Sequence, residues 1–419
     1  MPNMGEGTDS VGQVQPALKR SLSLPMTTFY GLGNILGAGI YVLIGKVIGH
    51  AGVYAPLSFL LAALLACLTA FTYAELSARY PLSAGEAVYI QEGIGIRALS
   101  AVVGILIILA GVVSAAAILR GFAGYLQVFI ALPDALAIPL LVLVLGGLAA
   151  WGISESVAVA VWITLIEIGG LLLIILVSVP GLSLERLMDT IDLPALAGRD
   201  AWQGIFVGGF LAFYAFIGFE DMVNVAEEVK QPERNLPRAI LLALLVSGIL
   251  YILVALVAVA SVPERLLAET DAPLAFLYQY VTGREPVAIT LISMFAVING
   301  ALIQIIMASR VAYGMGRKHW LPAVFARVHA MTQTPLVATA TVALLVLAMA
   351  LWLPIETLAK ATSFLLLLVF ALVNLSLWRL KRAGTCPDGV ICIPCWVPVT
   401  GFVASLAFVA MQAAIEVAR

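Results

Sequence analysis

Long apolar runs alternate with short polar loops along the whole chain. Eleven runs stand out, at about 27–48, 54–77, 98–119, 133–151, 157–180, 203–226, 238–262, 286–312, 335–353, 357–380 and 396–416. A membrane-crossing helix needs roughly 20 apolar residues, so each run predicts one crossing. The loops are too short for a separate soluble domain, which leaves one transmembrane domain over 25–416 behind a polar tail, 1–24. That tail has no basic stretch followed by a short apolar core and cleavage site, so it reads as a cytoplasmic tail and not a signal peptide.

Two runs break the pattern. The first carries Gly31, Gly33, Gly37 and Gly39 with Asn34 among them. Such a cluster predicts a helix interrupted at mid-membrane, which is tolerated only where the freed backbone is buried in protein or lines a cavity. The sixth run has Gly218 in AFIGFE, followed at once by Glu220 and Asp221. Interrupted helices at matching positions are the mark of inverted repeats with a substrate site between them. The expected fold is all-α, a 5+5 inverted-repeat, broken-helix transporter. Repeat one covers about 27–180, repeat two about 203–380, and an extra helix about 396–416.

Composition agrees with that picture: 62% of the 419 residues are hydrophobic, 11% are charged, and mean hydropathy is +1.08. A soluble domain carries about 25% charged residues. The net charge of −2 gives no reason to expect a nucleic-acid partner. With the N-terminus in the cytoplasm, 14 Lys and Arg fall on the cytoplasmic side and 8 on the other, the bias of the positive-inside rule. This predicts an integral protein of the plasma (inner) membrane. No phosphate-binding loop is present and His50, His319 and His329 fall at loops or helix ends; neither an enzyme nor a cofactor is expected.

Four stretches resemble the amino acid–polyamine–organocation (APC) superfamily of amino acid permeases. They are GLGNILGAGIYVLIG at 31–45, YAELSARYPLSAGEAVYIQEGIG at 73–95, FYAFIGFEDMVNVAEEVKQPERNLPRAI at 213–240 and ASRVAYGMGRKHWLP at 308–322. The resemblance implies secondary transport of an amino acid, or an amine relative, by alternating access. It places a substrate carboxylate on Gly37, Ala38 and Gly39, and an ammonium on carbonyls of Ile35, Tyr214 and Ile217 beside Gly218. Helix N-termini and free carbonyls suit those two charges. Relatives often have Ser or Thr where this chain has Ala38, and twelve helices where it has eleven. The resemblance also implies an aromatic gate, Phe216 or Tyr214, and a substrate-facing Gln304. Asn299, Ser114 and Ser363 are weaker candidates for the cavity.

Charged residues within apolar helices are functional by default. Glu167 stands where proton-coupled relatives commonly carry Lys, and a carboxyl there offers a proton site, a cation site or a ligand for a substrate amine. Glu220 falls where some antiporters of the family keep a titrating Glu. A proton is the first choice of coupling ion and sodium the alternative, with obligate exchange or polyamine transport as rival modes. A receptor or membrane assembly subunit that binds an amino acid without transporting it is the rival of another class. Glu75, Glu227 and Glu228 with Arg79, Lys230 and Arg234 suggest an inner gate. Cys386, Cys392 and Cys395 share one cytoplasmic loop, where a structural disulfide is not expected, and no metal site is assigned to them.

Overall fold

The computed structural model describes residues 20, 22–37, 39–82, 85–151, 157–181, 198–332, 334–384, 386–387 and 389–417. The first crossing is broken, as α1 (Leu24–Leu36) and α2 (Gly39–Ala51). Four continuous crossings follow: α3 (Ala55–Arg79), α5 (Arg97–Leu126), α6 (Asp134–Trp151) and α7 (Val157–Ser178), with the short α4 (Gly85–Ile94) between α3 and α5. The sixth crossing is broken again. Its first part, α8 (Arg199–Ala215), gives way to turns and then a 3-10 segment, Glu220–Glu228. Beyond it lie α9 (Pro232–Ser261), the short α10 (Glu264–Glu269) and α11 (Pro273–Thr282), then α12 (Val287–Arg317), α13 (Leu336–Trp352), α14 (Ile355–Ala383) and α15 (Trp396–Val417).

Among the described residues eight stretches are long and apolar enough to cross a membrane by themselves, α2 and α3 counting as one. The two broken segments and the shorter α13 supply the remaining crossings of the eleven-run pattern. Large apolar side chains such as Leu143, Trp162, Leu176 and Trp352 stand exposed on the outer faces, as lipid contact requires. Charged ends carrying Arg79, Arg97, Lys230, Arg310, Arg317 and Arg379 follow α3, precede α5 and α9, and close α12 and α14, so they share one end of the bundle, called here the basic end.

The broken segments lie together at the centre. α2 packs on α8, and α1 packs on α7, α9 and the 3-10 segment. Small residues make this closeness possible. A Cβ on Gly39 would fall 2.5 Å from the Cβ of Ala215, and nearer still to its backbone; Gly33 and Gly31 have Thr164 and Met222 equally close. The inner halves are also tied to one another, since Leu22 donates its N–H to Glu228 O (3.0 Å) and accepts from Lys230 N–H (2.8 Å). On α14, Asn374 accepts from Thr72 (2.6 Å) and donates to Thr69 (3.0 Å), both on α3. Such hydrogen bonds hold helices together where lipid provides no hydrophobic drive.

Cys386 and Cys392 in the α14–α15 connection are bonded to each other, where the sequence reading expects free thiols. Cys67 and Cys395 are free.

Candidate functional site

Both helix breaks are built around backbone that only small residues allow. Gly218 has φ +121°, open to glycine and costly for any side chain, and a Cβ there would lie 2.6 Å from Asn34 O. The backbone of one break therefore rests directly on the backbone of the other. A small space of about 20 Å³ remains between them, lined by Asn34, Ile35, Gly39, Ser114, Ile118, Tyr214, Ile217, Gly300, Ile303 and Gln304. Ser114, Ile217 and Gln304 also line a larger cavity of about 520 Å³ that runs to the basic end past Glu86, Glu220, Asp221 and Asn224 and reaches Arg310 and Lys318.

The expected site residues divide on inspection. Ile35, Gly39, Tyr214, Ile217 and Gln304 come together around the small space. Ala38 lies outside the described residues. The Gly37 N–H is held by Gly33 O (3.1 Å), continuing the helical turn. The Gly39 Cβ position is occupied by Ala215, so that glycine serves the contact between α2 and α8. Phe216 is carried away from the cavities: its ring meets Tyr251 edge-on at 5.2 Å. Of the two gate candidates, Tyr214 alone lines the central space. Its hydroxyl donates to Ser114 O (3.0 Å) and sits 3.0 Å from Ser114 Oγ, tying α8 to α5.

Polar side chains join the two breaks. Glu220 accepts the Gly218 N–H on Oε2 (2.9 Å), so its carboxylate caps the turn that interrupts the helix. Gln304 Nε2 donates to Asp221 Oδ2 (3.4 Å), which turns Asp221 toward the cavity and α12. Tyr251 on α9 is a site residue that the sequence pattern does not single out. Its hydroxyl lies 2.7 Å from Ile35 O and 3.0 Å from Ala215 O, reaching the carbonyls of both breaks at once. One sign was available: Tyr251 is a lone phenol within an otherwise apolar run of α9. Glu86 is another such residue; it lines the cavity and accepts from Tyr73 (3.0 Å).

Glu167 is fully buried on α7 and is not among the lining residues of these two cavities. Its backbone O accepts from Tyr41 (2.6 Å) on α2. Ser363 and Asn299 are buried outside the lining of both cavities.

The end opposite the basic one carries charged pairs around a separate cavity of about 460 Å³, lined by Lys46, His50, Asp271 and Glu356 among others. His50 at the end of α2 lies 2.8 Å from Glu356 on α14; Lys360 bridges Glu356 and Glu416, at 2.9 Å from each. Lys46 faces Asp271 at 3.8 Å. The central space shares Ser114, Ile217 and Gln304 with the cavity of the basic end and no lining residue with the cavity at the other.

A family model described as amino acid permease matches residues 22–417. The chain belongs to that family. Its relatives include a vacuolar cationic amino acid transporter 2 of Arabidopsis thaliana, 32% identical over 87% of the chain and 60% of the relative. Another is the branched-chain amino acid permease BcaP of Bacillus subtilis (strain 168), 29% identical over 91% of the chain and 86% of that protein. The methylthioribose transporter of the same bacterium is 28% identical over 87% of the chain and 82% of its own length. The permease therefore spans about 60% of the length of the plant transporter. Among solved structures, a manganese transporter mutant of Eremococcus coleocola superposes with a TM-score of 0.64 over 96% of this chain and 89% of that one, at 13% identity. That likeness establishes the transporter fold and nothing about the cargo. The permease is an integral membrane protein of a transporter family, not of an enzyme family.

Proposed function

We propose that this permease is a secondary transporter of an amino acid, working by alternating access and coupled to protons. The observation that carries the reading is Glu220. A titratable carboxylate lines the cavity and at the same time accepts the Gly218 N–H that closes the helix break. Protonation turns the carboxylate into a neutral carboxyl, a weaker acceptor for that N–H, so the proton and the shape of the break are linked. The space of about 20 Å³ between the breaks has room for about one water and none for an amino acid. An amino acid therefore enters by parting the breaks or rests where Ser114, Ile217 and Gln304 open to the larger cavity. The repeats, about 27–180 and 203–380, would rock around that point. The excess of basic residues at one end supports a cytoplasmic N-terminus.

A second reading of the cargo has its own support. Glu86, Glu220 and Asp221 all line the cavity on its way to the breaks, while Arg310, about two turns before the end of α12, and Lys318, just past that end, line it toward the basic end. An acid-lined path favours a cationic amino acid or an amine, and a cationic cargo also suits exchange.

Uptake of labelled neutral amino acids, cationic amino acids and polyamines into proteoliposomes, with and without an inward proton gradient, separates these readings. Gradient-driven accumulation of an amino acid supports coupled symport. Uptake that ignores the gradient and needs internal substrate establishes exchange instead. Tight binding with no uptake under either condition contradicts transport altogether.

A further inference from the structure

We propose that Cys386 and Cys392 are a reversible thiol–disulfide modification site whose oxidised form clasps α3 to the α14–α15 connection. The two sulfurs are bonded and their Cα atoms are 6.3 Å apart, within the span a disulfide bridges. Cys392 is exposed and Cys386 half-buried, so both are within reach of a soluble thiol reagent.

The pair sits against a buried ionic knot. Ile393, the residue after Cys392, donates its N–H to Glu75 Oε2 (2.8 Å) and accepts on its carbonyl from Lys381 (2.7 Å). Lys381 also pairs with Glu75 at 2.7 Å, and Arg79 Nε donates to Glu75 Oε1 at 3.0 Å. Glu75 is fully buried. The bond between Cys386 and Cys392 restricts the loop that delivers Ile393 to this knot. Glu75 also stands two residues from Tyr73, whose ring meets Phe219 at the sixth-helix break and Phe370 on α14, both at 5.6 Å. A clasp at Glu75 therefore fixes α3, the helix that carries Tyr73 against the sixth-helix break.

The same atoms could be read as a metal site, since both sulfurs and a Glu75 oxygen lie within 4.8 Å of one another. The donors argue against it. Glu75 already accepts from Arg79, Lys381 and the Ile393 N–H. A divalent ion would meet two cations and find only two sulfurs uncommitted, where a structural zinc takes four ligands. Thiol chemistry is what remains. The charge count puts this loop on the cytoplasmic side, where disulfides are transient and redox-sensing when they occur.

The step balances with a low-molecular-weight disulfide as oxidant. One cysteine thiolate attacks a sulfur of RSSR and expels RS⁻; the second attacks the mixed disulfide and expels another RS⁻. Two Cys–SH and RSSR become Cys–S–S–Cys and two RSH, and two thiols reverse it.

The rate effect rests on the transport reading above; the chemistry and the clasp do not. The full chain in proteoliposomes would be treated with oxidised glutathione or dithiothreitol, then scored by maleimide labelling, uptake and thermal unfolding. Oxidation should hide Cys386 and Cys392 together and leave Cys395 reactive. It should slow uptake several-fold, reversibly, and raise the unfolding midpoint. Cys386→Ser and Cys392→Ser should each abolish all three effects, Cys395→Ser none. Glu75→Gln should lose the rise in midpoint while still forming the bond. Labelling of Cys386 and Cys392 that persists after oxidation, or a bond that forms without changing the midpoint, overturns the proposal. A raised midpoint in a protein that takes up nothing in either state overturns the transport reading and leaves the clasp standing.

Discussion

Replacing Tyr251 by Phe isolates one hydroxyl at the point where the two breaks meet. The ring stays, with its edge-on neighbours Phe59 at 6.0 Å and Phe216 at 5.2 Å. What goes is the donor that Ile35 O and Ala215 O share at 2.7 and 3.0 Å. Stranding a buried acceptor costs about 1–3 kcal/mol. The breaks are where a broken-helix transporter flexes, so the loss falls mainly on the arrangement seen here, open to the basic end. A difference of about 1–3 kcal/mol moves a two-state population roughly 5–150-fold. The assay is alkylation of a cysteine placed at Met307, which lines the large cavity, with Cys67, Cys386, Cys392 and Cys395 replaced by Ser. Tyr251→Phe should slow its modification from the basic end, by no more than that factor and by all of it only where the open arrangement is already the minor one. Unchanged labelling, in protein of unchanged yield, would refute the idea that this hydroxyl holds the breaks in place.

Other substitutions test separate parts of the account. Gly218→Ala forces a side chain into φ +121° and into the Asn34 carbonyl; the strain alone costs about 1–3 kcal/mol, so the yield of monodisperse protein in detergent should fall sharply, and normal yield with normal uptake would contradict the packed breaks. Gly39→Val should also reduce folded yield, because its side chain meets Ala215; loss of substrate binding in stable protein would show that the space is open after all. Asp221→Asn should weaken inhibition by a cationic competitor at least about tenfold, or 1.4 kcal/mol, and leave a neutral competitor unchanged. Equal loss for both would assign Asp221 to structure. Glu356→Gln breaks partly exposed pairs with His50 and Lys360; such pairs are worth about 0.2–1 kcal/mol each, so a cysteine near Lys46 should label faster from the far side by no more than about 30-fold. Slower labelling would exclude these pairs as a gate.

The sequence made the helix breaks legible because glycine clustered in a membrane helix has few uses. The acids of the sixth helix could be singled out for a similar reason, since charge in lipid is costly. What the one-dimensional pattern lacked was direction. Tyr214, Phe216 and Phe219 all follow one another near the break, and which ring faces the cavity depends on the turn geometry at Ala215–Gly218. Gly39 looked like room for a carboxylate because nothing in the chain shows that Ala215 approaches it. Tyr251 and Glu86 act across 216 and 13 residues of sequence respectively, and no local pattern announces a partner that distant or that ordinary. The cysteine pair was hidden by compartment: the positive-inside count argued for thiols, and only the fold brings the two sulfurs together beside Glu75.

The most direct test of proton-coupled transport is proton movement itself. A pH-sensitive dye inside proteoliposomes would be followed as an accepted amino acid is added outside with no ion gradient imposed. The account predicts acidification of the lumen with substrate entry, lost in Glu220→Gln while counterflow exchange of substrate persists. Substrate entry at the normal rate with no change in internal pH would contradict it.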